Sequence, residues 1–164
     1  MSKSLASAQV RGSYHHGNLR EALVAAALDL LESEGLEALS LRKVAAQVGV
    51  SHAAPAHHFP TLRDLLTGLA SVGFVRFDTA MREERARSAD DPASQMRAAE
   101  RGYVTFATSN PALFRLMFTT PLINWEEPAL HLPARAAQAQ LSEICAPAAD
   151  DLGLDTPEQR QVLE

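Results

Sequence analysis

Cysteine is almost missing from this chain. One thiol, Cys145, occurs in 164 residues, so no internal disulfide framework is available, and that usage fits a reducing cytoplasm. Isoleucine is nearly as scarce, with only Ile123 and Ile144, while alanine and leucine dominate. That balance favours helices over strands. No apolar run approaches the ~20 residues of a membrane-spanning helix. Residues 1–17 contain no continuous apolar segment of the kind a signal peptide needs.

Catalytic signatures are missing too. There is no G-x-S-x-G, no G-x-G-x-x-G or Walker pattern, and no H-E-x-x-H. Six histidines invite a metal reading. Yet His15-His16 and His57-His58 are sequence neighbours, which do not share a helix face, and Cys145 has no CxxC partner. The acid pairs Glu83-Glu84, Asp90-Asp91 and Glu126-Glu127 sit in polar stretches and read as solvated. The expectation is therefore no enzyme, no metal and no cofactor.

What remains is a chain with 46% hydrophobic and 21% charged residues, enough to bury roughly two-thirds of its unfolded surface. Its net charge of −5 argues against a general nucleic-acid binder, but the charge is uneven. Residues 1–63 hold six Lys/Arg against five Asp/Glu, and residues 64–164 hold nine against fifteen. Five of the six histidines also fall in the first part. Only that part tolerates a phosphate surface.

The organising stretch is SLRKVAAQVGVSHAAPAHHF, residues 40–59. Leu41, Val44, Ala45 and Val48 recur at i, i+3, i+4 and i+7, one face of a helix. Ser40 is placed to cap it. Gly49 ends it, since a sharp reversal uses the left-handed conformation. Ser51 is placed to cap a second helix, whose start Pro55 distorts by removing an amide donor. Two helices across a tight turn are the pattern of a helix-turn-helix, and an ordinary αα-hairpin is the alternative reading. Upstream, Asn18 and Glu21 fit a capping box. Leu19, Leu23, Ala26, Ala27, Leu30 and Leu31 form one stripe, which Gly35 closes. Leu36 and Leu39 plug the junction, and Phe59 belongs in the core.

The segments YHHGNLR (14–20), E-G-L-E-A-L-S-L (34–41), V-A-x-x-V-G-V-S (44–51) and H-A-A-P-x-x-H-F (52–59) together resemble the TetR/AcrR family of transcription regulators. The resemblance covers roughly residues 14–77. It implies a DNA-binding head that docks on an operator, an inverted repeat, as a homodimer, with the second motif helix in the major groove. By this resemblance Ser51, His52, Ala53, Ala54, His57 and His58 face DNA, and Ser40, Arg42, Lys43 and Arg63 approach the backbone. Two positions depart from the family pattern. Ala56 stands where an aromatic is usual and Leu62 where a lysine is frequent, so fewer phosphate contacts are expected. Lys3 and Arg11 sit on an arm over 1–17.

Beyond the head, Thr61 and Asp64 form a second capping box. Leu62, Leu65, Leu66, Leu69, Val72 and Phe77 line the helix that follows. Asp91-Pro92 starts a helix over about 92–109, and Asn110-Pro111 breaks it before a short helix. Residues 119–132 read as a loop, with Trp125 either a lid over a cavity or a surface anchor. A helix resumes around Pro133 and ends at Asp150-Asp-Leu-Gly153. Thr156, Pro157 and Gln159 open another helix, and the chain stops at Glu164 after about two turns, which points to a domain incomplete at its C-terminus and a weak dimer at most for these 164 residues.

The expected fold is thus all-α. It comprises an arm (1–17), a helix-turn-helix head (18–77) and a helical effector-binding and dimerisation region (78–164). Met96, Tyr103, Phe106, Phe114, Met117, Phe118 and Trp125 are the candidates for an apolar effector pocket, with core packing as the alternative role. The expected function is a ligand-responsive regulator, a repressor, in the cytoplasm and off the membrane. Its rival is a helical small-molecule-binding protein with weakened or lost DNA binding.

Overall fold

A computed structural model describes residues 19–119 and 121–160, and of Arg160 only the backbone. The arm over 1–17, the Asn18 cap and residues 161–164 lie outside the described residues. Among the described residues all regular structure is helical. Seven α-helices follow in order: α1 (Leu19–Glu34), α2 (Leu41–Val48), α3 (Leu62–Ala86), α4 (Pro92–Ser109), α5 (Pro111–Thr119), α6 (Pro128–Asp151) and α7 (Pro157–Arg160). Two 3₁₀ turns, Leu36–Ala38 and Ala54–His57, lie among them.

The apolar stripe of α1 is buried as its spacing predicts: Leu23 and Ala27 have no exposed surface, and Leu31 has 1%. They pack on Val44 and Phe59 and on Leu65, Leu66 and Leu69 of α3, all in one cluster. Each fully buried leucine contributes about 2 kcal/mol of apolar transfer. The same cluster continues without interruption into the body through Phe77, Met81, Leu113 and Leu116. Helix α3 carries this continuity, so the expected boundary at 77/78 falls inside one unbroken helix.

In the body, small residues bring backbones together. A Cβ on Gly102 of α4 would stand 2.6 Å from the carbonyl oxygen of Ala80 and 2.7 Å from Met81 Cα, so α4 rests directly on the backbone of α3. A Cβ on Gly73 would stand 2.5 Å from Met117 Sδ. Polar side chains then clasp the far end. Arg85 donates to Gln95 Oε1 (2.9 Å) and to Glu143 Oε1 (2.8 Å). The buried Gln140 side chain donates to the Asp78 carbonyl (3.2 Å).

The loop expected over 119–132 ends five residues sooner, because α6 begins at Pro128. Proline suits the first helical position, where the amide has no partner. Pro133, taken as the start of this helix, lies inside it. Lacking an N–H, Pro133 leaves the Ala129 carbonyl without its helical donor. Ser71 of α3 fills that role, its Oγ donating to Ala129 O at 2.7 Å. The helix also passes Pro147 and ends at Asp151, with Gly153 left-handed beyond it.

Candidate nucleic-acid interface and effector cleft

The motif is built by local hydrogen bonds. Ser40 is extended (φ −151°, ψ 152°), and its Oγ accepts the Lys43 amide at 3.2 Å. At the other end Gly49 is left-handed (φ 77°, ψ 29°). The Val50 amide donates to Ala45 O (3.0 Å) and the Gly49 amide to Ala46 O (3.1 Å), the paired bonds of a Schellman closure. The chain then runs out to solvent, with Ser51, His52 and Ala53 exposed.

The second element departs from expectation. It is a 3₁₀ turn over Ala54–His57 and not an α-helix, and Ser51 does not cap it: Ala53 precedes it with no side-chain hydrogen bond. Pro55 is the cause. An α-helical pairing would send the amide of residue 55 to the Ser51 carbonyl, and proline has no such amide. That carbonyl takes the Ala54 amide instead (3.0 Å), and the next turns tighten likewise, Ala56 to Ala53 O (3.2 Å) and His58 to Pro55 O (2.9 Å). Pro55 is itself buried, which pins the turn to the head.

Around this turn the proposed contact residues divide. Ser40, Arg42, Ser51, His52, Ala53 and His57 are exposed, as is Ala56, while Ala54 is half-buried. Residues 38–63 contain no aspartate or glutamate. Lys43, however, is paired with Glu34 of α1. Arg63 reaches the other way, its Nη2 donating to the Ile123 carbonyl at 3.2 Å. His58 is half-buried and lines a small cleft of about 230 Å³ with Arg20, Asp64 and Asn124, between the head and the loop that precedes α6. Phe59 is buried beneath the Arg20 guanidinium, 5.1 Å from the ring centroid. Leu62 packs against the core.

A larger cleft of about 570 Å³ opens in the body between α3, α5, α6 and the preceding loop. Its aromatic wall is Phe74, Phe77, Phe118 and Trp125. Phe118 and Trp125 each meet Phe74 edge-on, with centroids 5.4 and 5.9 Å away. The facing wall is α6, where the small side chains Ala134 and Ala137 leave the space unfilled. Of the seven residues expected to form a pocket, Phe118 and Trp125 line this cleft, each nearly half exposed. The other five do not. Met117 and Phe106 are buried in the core, Tyr103 and Phe114 meet edge to face at 5.7 Å behind the wall, and Met96 is on the surface of α4. The cleft residues missed from the sequence, Phe74 and Phe77 of α3 and the α6 face, carry the ordinary spacing of core positions. Only the run of alanines in α6 marked a gap.

The cleft and the head are joined by the loop over 121–127. Besides the Arg63 bond to Ile123, the Asn124 amide donates to Thr67 Oγ1 at 2.9 Å. Both partners belong to the head end of α3, while Trp125 of the same loop lines the cleft. A second tie comes from α1: Glu32 accepts the amides of Ala112 (3.2 Å) and Leu113 (2.8 Å), the first free donors of α5.

Comparison with known proteins finds relatives of both the motif and the fold. The profile of bacterial regulatory proteins of the tetR family matches residues 23–69. The chain is 34% identical over 102 residues to the nucleoid occlusion factor SlmA of Photobacterium profundum, a match spanning 61% of this chain. It covers 51% of that relative, so the chain spans about half the length of the relatives of this kind that it matches. A solved protein of unknown function from Rhodococcus sp. RHA1 superposes with a TM-score of 0.75 at 30% identity, over 93% of this chain and 79% of that one. A TetR family transcription regulator from Marinobacter aquaeolei VT8 shares the fold, with a TM-score of 0.62 at 20% identity over 80% of this chain and 69% of that chain. The Ser40–Phe59 turn thus lies inside a segment, residues 23–69, that matches the tetR family of bacterial regulatory proteins, and the helical body behind it shares the fold of solved proteins that carry such a head.

Proposed function

We propose that this protein is a ligand-responsive, DNA-binding transcriptional repressor, acting in the cytoplasm as a homodimer on an inverted repeat. The observation that carries the reading is the outer surface of the motif, where the small side chains of Ser51 and Ala53 and the imidazoles of His52 and His57 are exposed in a segment free of carboxylates. Small side chains let the backbone approach base edges, and an alanine methyl fits a thymine methyl. Ser40 and Arg42 flank them for phosphate contact. The effector occupies the cleft of Phe74 and Trp125. It touches α3 and the 121–127 loop at once, and these are the elements that hold the head through Arg63 and Thr67. A ligand that prefers one arrangement of loop and α3 shifts the population of head positions, and so the operator affinity.

A second reading has its own support. Of the three cations in residues 38–63, Lys43 is paired with Glu34 and Arg63 is held by Ile123 O, while Ala56 and Leu62 add no phosphate ligand. A head so depleted favours a small-molecule-binding protein with little DNA affinity. Selection of bound duplexes from a random DNA pool, at low and moderate salt, decides between them. The repressor reading expects an enriched inverted repeat whose binding weakens steeply as salt rises. A lone half-site removes the dimer but keeps DNA recognition. No enrichment at either salt, for the native chain and for Ala56→Tyr alike, overturns the reading in favour of the second.

A further inference from the structure

Resting on the assignment of the effector to the Phe74–Trp125 cleft, we propose that its ligand is an amphiphilic anion: an apolar body against the aromatic wall and a carboxylate or similar acid held by Arg135. The polar groups that line the cleft are His131, Arg135 and Gln138. They fall at i, i+4 and i+7 of α6, hence on one face. All three are exposed, so they edge the opening and do not fill it. No aspartate or glutamate lines the cleft. Nor, among the described residues, does any carboxylate pair with Arg135. Among the described arginines from Arg76 onward, Arg82, Arg85, Arg87 and Arg101 hold an acidic partner, whereas Arg76, Arg97, Arg115 and Arg135 do not, and of these last four Arg135 is the one that lines the cleft.

A guanidinium offers parallel N–H donors that match a carboxylate in two-point contact. Gln138 and His131 add donors one turn to either side. The acidic residues of the neighbouring loop do not compensate Arg135 within the cleft. Glu126 does not line it, and Glu127 belongs to the smaller cleft below the head. The wall opposite is aromatic, with Phe118 and Trp125 presenting their free surface. Aromatic faces also attract organic cations, but an unpaired arginine at the opening opposes a cation and favours an acid. The apolar volume suits a chain or a ring system, and Ala134 and Ala137 leave room for it along α6.

Trp125 is the sole tryptophan of the chain and lines the cleft, so emission excited selectively at tryptophan, away from the two tyrosines, comes from this site. The full chain is titrated with decanoate, decanol and decyltrimethylammonium below their micellar concentrations. These ten-carbon probes absorb nowhere near tryptophan and differ chiefly in the charge of the head group. The expected result is saturable change with decanoate binding at least about tenfold tighter than either other probe, since a charge-assisted two-point contact is at stake. In Arg135→Gln that preference collapses to about onefold while decanol binding is retained. Ala134→Phe, which fills the cleft, abolishes the signal with all three probes, and circular dichroism checks that each variant keeps its helices. Tighter binding of the cation, or equal decanoate binding by the native chain and Arg135→Gln, overturns the anion assignment while leaving the cleft a ligand site. Saturable binding by none of the probes overturns the anion assignment and the effector site together.

Discussion

In the head, Ser40 caps α2 three residues ahead and Thr61 exchanges hydrogen bonds with Asp64 at the same spacing. In the body, the first amides of α5 are capped by Glu32 from 80 residues away, and the carbonyl freed by Pro133 is served by Ser71 from 58 residues away. The head closes the starts of α2 and α3 with what lies next to them in sequence. The body closes α4 locally too, through Asp91 and Asn110, but α5 and the proline-interrupted α6 take partners brought by the fold. The difference fits the two roles proposed above. A head closed locally keeps its shape when its surroundings shift, which suits a reader of DNA. A body with tertiary partners on α5 and α6 changes those contacts when its helices move, which suits a sensor.

Two glycines test that contrast most strongly. Gly102→Ala pushes a Cβ against the backbone of Ala80 and Met81, which no side-chain rotation relieves. Overpacking of this kind costs about 3 kcal/mol, and the better helix propensity of alanine returns about 1, leaving a loss of about 2 kcal/mol. Gly49→Ala meets no neighbouring atom but must hold φ at 77°. That costs about 1 to 2 kcal/mol, partly offset by a stiffer unfolded chain, for a net loss near 1 kcal/mol. Urea unfolding of both variants measures the order. If Gly49→Ala costs more than Gly102→Ala, the body is not the close-packed half and the comparison fails.

The same contrast explains what the sequence disclosed. Ser40, Gly49, Thr61 with Asp64, and Asp91 before Pro92 were legible because a cap and its amides are near neighbours. Asp91 accepts the Ser94 amide at 2.9 Å, as an N-cap should. The span of α4, residues 92–109, followed from such signals. Pro55 announced a distorted start but not its extent: a 3₁₀ turn in place of a helix depends on which carbonyl the missing amide would have met. Pro133 misled because a proline reads as a boundary, and the Ser71 hydroxyl that permits it inside α6 arrives only with the tertiary fold. For the cleft, Phe118 and Trp125 were found by aromatic character. Phe74, Phe77 and Arg135 were not, because their part in it depends on how α6 lies across α3, and no local spacing encodes that.

Glu32 sharpens the comparison at intermediate size. Asn110, which immediately precedes α5, turns its side chain back to donate to Phe106 O (3.0 Å), finishing α4. The α5 amides therefore depend on Glu32. Glu32→Ala should cost about 1 kcal/mol, the value of a lost helix cap. Hydrogen exchange at Ala112 and Leu113 should rise together with that at the end of α1, since one side chain serves both. Exchange that rises at α5 alone would show that Glu32 caps a helix without tying head to body.

The smallest effect belongs to Glu143. Its hydrogen bond from Arg85, and then the charge of that guanidinium, hold its carboxyl below the ordinary value of 4.5. A depressed folded value means that the ionised form is the stabilising one. The contribution is complete above the unfolded value of about 4.5 and fades as pH falls through the lower folded value. The Glu143 side chain is 68% exposed, so solvent screens the pair and its worth is about 0.5 kcal/mol or less. Glu143→Gln should therefore be slightly less stable than the native chain at neutral pH and indistinguishable from it in strong acid. Denaturation midpoints at pH 7 and below pH 4 measure the gap. A gap that persists in acid would mean that Glu143 supports the clasp through packing or a neutral hydrogen bond. The body would then be held at its far end by the Arg85–Gln95 and Gln140–Asp78 bonds, with charge contributing nothing.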